Sequence, residues 1–214
     1  MGHYGTGKTT LSLNFALNWA KKEKERVAIA DLDVNNPYFR SRDWMKTLNK
    51  QQIDLIMPDQ KIAFAEMPYL PKEIYSVIQN LDRNVIIDVG GHDVGTTVLG
   101  SLAEKIEKVP YELWMVINTF RPDMETAEEI IAMLERLQAL AKLKVTGLIN
   151  NTNLGPLTQV QDVLMSEAIV SNVSMLRGIP MIGTTIEKNL YDEGTAILKT
   201  PLIPIKRFDS LNLG

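Results

Sequence analysis

The chain has 214 residues, 45% of them hydrophobic and 23% charged, with 23 Lys and Arg against 26 Asp and Glu for a formal net charge of −3. At the usual ~150 residues per domain, one large α/β domain spanning 1–214 is expected rather than two full ones. The balance excludes a disordered chain and a polybasic nucleic-acid binder; no apolar run approaches the ~20 residues of a membrane span, and the absence of cysteine excludes disulfides, thiolate metal centres and cysteine nucleophiles.

Met1 is followed at once by a polar, glycine-rich stretch instead of the hydrophobic segment of a signal peptide, so a cytoplasmic protein is expected. That stretch, Gly2-His3-Tyr4-Gly5-Thr6-Gly7-Lys8-Thr9-Thr10, fits the pattern Gly, four residues, Gly-Lys-Ser/Thr, and a helix is expected to follow over 11–22. The pattern has a mechanism. Glycines let the backbone curl until successive amide hydrogens converge on phosphate oxygens, and the start of a helix adds about half a positive charge. Gly5, Thr6, Gly7, Lys8, Thr9 and Thr10 are therefore nucleotide-binding candidates, with Lys8 bridging the β- and γ-phosphates and the Thr9 hydroxyl ligating Mg²⁺. Such a loop ordinarily hangs from a buried strand, yet only Met1 precedes Gly2. That first strand is expected to be missing, or its place to be filled by another segment. The apolar run Leu202–Ile205 is a candidate, although a final strand at the opposite edge suits it better.

Further on, short continuous apolar runs predict parallel strands over 27–32, 85–89, 113–118, 145–150 and 181–183. Residues 50–82, broken by Pro58, Pro68 and Pro71, read only as an insertion over the sheet edge. Ala127, Ile130, Ile131, Leu134, Leu137 and Ala141 recur at helical spacing with Glu128, Glu129 and Glu135 opposite, which predicts a surface helix. A further helix is expected over 158–177, stopped by Gly178 and Pro180. The whole is a doubly wound, mostly parallel sheet with helices on both faces.

Two predicted strands end in acids: Ala30-Asp31-Leu32-Asp33, and Ile87-Asp88 leading into Asp88-Val89-Gly90-Gly91. Strand C-termini share one rim in a parallel sheet, so these carboxylates and the glycine loop are expected in one crevice. Phosphoryl transfer depends on positioning and charge, so Asp31, Asp33 and Asp88 are the carboxylates available to hold a magnesium ion's water shell and to orient the attacking water. Gly91 would turn its amide onto a γ-phosphate and make its loop a nucleotide sensor.

The order of glycine loop, Asp31-Leu32-Asp33, Asp88-Val89-Gly90-Gly91 and Gly147-Leu148-Ile149-Asn150-Asn151 resembles the MinD/ParA/nitrogenase iron protein class of P-loop ATPases over roughly residues 2–190. The resemblance implies that Asp33 polarises the hydrolytic water, that Asp88 holds the magnesium shell, that Asn151 reads adenine, and that the molecule dimerises around two ATP. It also implies that Gly183-Thr184-Thr185-Ile186-Glu187 forms the loop over the adenine ring. The class's trans-acting lysine falls at His3, a residue largely neutral at pH 7, which predicts slow turnover unless Arg40 or Arg42 supplies the charge; a solvated helix face is the alternative for those arginines. No cysteine stands where relatives hold an iron–sulfur cluster, so none is expected.

Adenine is also favoured by chemistry. Guanine selection needs a carboxylate, as in Asn-Lys-x-Asp, whereas Asn150-Asn151-Thr152-Asn153 offers amides that suit adenine's N6 and N7 edge; a simple turn is the alternative reading. His92 is expected to be a loop residue. Arg121 either touches a phosphate or partner, or caps the region that follows. The expectation is thus a Mg²⁺-dependent ATP-binding switch, an ATPase forming a homodimer with an unidentified protein partner and contacting neither nucleic acid nor membrane. Two rivals stand beside it: an ATP-dependent small-molecule kinase or ligase of the dethiobiotin or cobyrinate synthetase type, and a non-hydrolysing ATP-binding adaptor.

Overall fold

Apolar runs without polar alternation become strands, and the chain pairs them into two parallel sheets. The computed structural model describes residues 1–23, 26–32, 44–57, 70, 72–91 and 93–208. These fall into two units, one drawn from residues 8–111 and the other from residues 1–7 and 112–209.

In the first unit the helix α1 (Lys8–Glu23) is followed by β1 (Arg26–Asp31), α2 (Met45–Lys50), β2 (Ile53–Ile56), α3 (Lys72–Gln79), β3 (Arg83–Asp88), α4 (Asp93–Ser101) and α5 (Ala103–Ile106). The sheet order is β2-β1-β3, all parallel, with Val27 opposite Ile53 and Asp31 opposite Asp88. Central β1 is buried from Val27 to Asp31, and α1 packs Leu13 and Ala16, both fully buried, onto the same core. The ladder continues one residue past the strand, where the Leu32 amide donates to the Asp88 carbonyl at 2.8 Å. Strand β2 was not anticipated. Its four residues lie in the proline-broken stretch, and an isolated run that short carries little periodicity.

The second unit runs β4 (Trp114–Ile117), α6 (Ala127–Ala141), β5 (Gly147–Asn150), α7 (Val160–Arg177), β6 (Met181–Glu187), α8 (Tyr191–Ile197) and β7 (Leu202–Ile205), again all parallel in the order β4-β5-β6-β7. Helix α6 buries Ile130, Leu134, Leu137 and Ala141 and is opened by a capping box in which Thr126 and Glu129 satisfy each other's amides. Gly178, at φ +62, ends α7 where expected. The run 202–205 is the edge strand beside β6, as its better-suited reading held.

One expectation is corrected here. Residues 183–187, expected as a loop over adenine, are the last five of the seven residues of β6; Gly183 to Ile186 are buried and paired with β5 or β7, and Ile186 packs on Val160, Val163 and Leu198. Among the described residues no helix is long and apolar enough to cross a membrane.

Candidate functional site

The loop begins on the edge of β4. The Met1 amino group donates to the Trp114 carbonyl at 2.7 Å and the Val116 amide donates to the Met1 carbonyl at 2.8 Å, so the chain leaves β4 at Gly2. It then turns. The Thr6 amide reaches the His3 carbonyl at 3.4 Å and the Thr6 hydroxyl reaches it at 2.9 Å, closing a four-residue turn with Gly5 at its third position. Gly5 has φ +73, the value a type II turn requires there.

Two side chains hold the loop from outside. Arg121, four residues beyond the end of β4, donates its Nε–H to the Gly5 carbonyl at 3.0 Å. Asn151, which extends β5 by donating its amide to the Ile117 carbonyl at 2.7 Å, donates its side-chain Nδ2–H to the Thr6 carbonyl at 2.6 Å. The Thr185 hydroxyl of β6 donates in turn to Asn151 Oδ1. Gly7 follows at φ +82, and a Cβ there would collide with the Asn151 amide nitrogen. The carbonyls of His3, Gly5 and Thr6 are thus all bonded to donors of the protein. A trans peptide sets its N–H opposite its C=O, so the bond from Thr6 O to Asn151 turns the Gly7 N–H to the other side of the loop.

The two expected asparagines therefore separate in role. Asn150 bonds Ser166 of α7 at 2.8 Å, while Asn151, 2% exposed, spends its amide on the loop and on Thr185. Sequence reasoning identified Asn151 but not these partners, and it placed Thr185 in a loop over adenine rather than against Asn151. For Arg121 the structure supplies a third answer, a contact with the loop backbone.

In the other unit, Lys8, Thr9 and Thr10 form the first turn of α1, which carries no acidic side chain to oppose an anion. One turn on, the Ser12 hydroxyl donates to Asp88 Oδ1 at 3.4 Å, which sets the tip of β3 beside the start of α1. Asp31 and Asp88, each 1% exposed, are register partners on adjacent strands. Asp31, expected with Asp33 at a strand end, thus stands beside Asp88. Gly91 is half-buried after β3, and the preceding Gly90 lies against Gly95 of α4 so closely that a Cβ on Gly95 would stand 2.7 Å from the Gly90 Cα. Asp33, Arg40, Arg42 and His92 lie outside the described residues.

Residues 3–190 match the model of the CobQ/CobB/MinD/ParA nucleotide binding domain. The chain belongs to this family. As a CobQ/CobB/MinD/ParA domain it is a P-loop nucleotide-binding protein, and its glycine loop from His3 onward and its β3 acid lie within the matched stretch. No curated protein matches its sequence. Among solved structures it is similar to the signal recognition particle receptor FtsY from Elizabethkingia anophelis, at 19% identity and a TM-score of 0.52 over 86% of this chain and 56% of that one. It is likewise similar to the signal recognition particle 54 kDa protein from Aeropyrum pernix K1 in complex with GDP, at 15% identity and a TM-score of 0.54 over 86% of this chain and 39% of that one. These likenesses bear on fold, and the chain spans about half or less of each neighbour.

Proposed function

We propose that the chain is a Mg²⁺-dependent ATPase that works as a nucleotide-controlled dimerising switch. The observation that carries this reading is the loop itself. Its His3, Gly5 and Thr6 carbonyls are tied back to the protein, which turns the Gly7 amide away from those contacts and toward an anion, and the Gly7-Lys8-Thr9 that ends the pattern in the sequence supplies its cation and hydroxyl. Lys8 neutralises the terminal phosphates. The Thr9 hydroxyl and the Asp88 carboxylate are hard oxygen donors of the kind Mg²⁺ takes alongside phosphates and water, so the residues present fit that ion; Asp33 is assigned to orienting water. Bound Mg²⁺ supplies neutralisation of charge on the β- and γ-phosphates.

Adenine is preferred because Asn150-Asn151-Thr152-Asn153 holds no carboxylate to accept from guanine's N1–H and amino group. His3, whose Nδ1 lies 3.1 Å from the Tyr4 carbonyl, replaces the cation that the resemblance places at that position, which favours slow turnover. The dimer and a protein partner rest on the family resemblance.

Calorimetry and phosphate release with ATP and Mg²⁺ test the proposal. Lys8→Ala is expected to abolish binding, while Asp33→Ala retains binding and stops hydrolysis. Equal loss in both variants contradicts the assigned roles, and turnover that appears only on adding a small-molecule acceptor replaces the switch with a kinase or ligase.

A further inference from the structure

Asn151 is placed to act on phosphate through the backbone. Its side chain is buried at the end of β5 and both ends of its amide are engaged: Nδ2 donates to the Thr6 carbonyl at 2.6 Å and Oδ1 accepts from the Thr185 hydroxyl. Thr185 is itself 4% exposed and fixed in the middle of β6, paired through the β6–β7 register with Ile203. The acceptor is thus oriented by a rigid strand, and the donor can point only one way. The peptide it grips joins Thr6 to Gly7, and the N–H of that peptide is the last loop amide before Lys8. The fit is mutual, since Gly7 has no side chain and an added Cβ would strike the same amide nitrogen.

We infer that Asn151, pinned by Thr185, is the positioning residue that holds the Thr6–Gly7 peptide with its N–H toward the phosphates, and that it sets phosphate affinity and not the choice of base. This rests on the nucleotide-binding reading proposed above. It differs in consequence from a base-reading asparagine. A base reader changes the preference between purines and leaves inorganic pyrophosphate untouched, whereas a loop clamp weakens every phosphate ligand by one common factor.

The test measures affinities for pyrophosphate, ADP, ATP and GTP on the full chain, for wild type, Asn151→Ala and Thr185→Val. The second variant removes only the hydroxyl from a side chain of the same shape, and stands in where Asn151→Ala fails to fold. Expected is a common loss of about tenfold for all four ligands in Asn151→Ala, the size of one hydrogen bond to a buried group, with a smaller common loss in Thr185→Val and an unchanged ATP to GTP ratio. An altered ATP to GTP ratio with pyrophosphate affinity retained overturns the inference and leaves the nucleotide reading standing. Wild-type protein that binds none of the four ligands overturns both.

Discussion

Replacing Gly7 with alanine separates the shape of the loop from its lysine. At φ +82 an alanine is strained by about 1–2 kcal/mol. Its Cβ also falls against Asn151 Nδ2, and displacing the bond from that nitrogen to the Thr6 carbonyl forfeits about 1 kcal/mol more. The free protein relieves this by letting the loop leave its arrangement, and a ligand must then restore it. The total of about 2–3 kcal/mol corresponds to binding weaker by about 30- to 140-fold. Titration calorimetry with ADP and with pyrophosphate reads the loss, and the thermal midpoint of the free protein reads how much strain is left in the fold. The expected result is a fall of this size for both ligands with little change in midpoint. Affinities within about twofold of wild type refute the idea that a preset loop amide binds phosphate.

Two further outcomes follow from the second unit. Glu167 on α7, 4% exposed, accepts from the Lys199 and Thr200 amides and from the Thr200 hydroxyl, the last at 2.6 Å, so Glu167→Ala strands three donors before β7 and is expected to cost about 3 kcal/mol in urea unfolding. Thr126→Ala removes half of the capping box of α6 and is expected to cost about 1 kcal/mol by the same measurement, with pyrophosphate affinity unchanged.

Much of the architecture is legible from pattern. Helix α6 announces itself through a 3.6-residue apolar period with Glu128, Glu129 and Glu135 opposite, and β1 and β3 through unbroken apolar runs that end in aspartate. What escapes is what depends on distant partners. Strand β2 acquires its identity from pairing with β1, not from its own four residues. The run 183–187 carries threonines and a glycine that suit a loop, yet Ile186 finds a core with Val160 and Val163, and β6 gains neighbours on both sides. The motif residues of the loop are visible in order, but their hydrogen bonds are not. Asn151 meets Thr6 across 145 positions and Thr185 across 34, and Arg121 meets Gly5 across 116. No local spacing encodes such contacts. An asparagine and an arginine after two strands could therefore be marked as functional, while what each one touches required the fold.

The central claim is that the Gly-Thr-Gly-Lys-Thr sequence of residues 5–9 receives phosphate. Amide nitrogen–proton spectra of the wild-type chain during addition of pyrophosphate and Mg²⁺ address it directly. The account predicts that the Gly7, Lys8 and Thr9 resonances shift first and furthest, saturating together. Resonances of these three that stay in place while the ligand saturates elsewhere, or while none moves, contradict it.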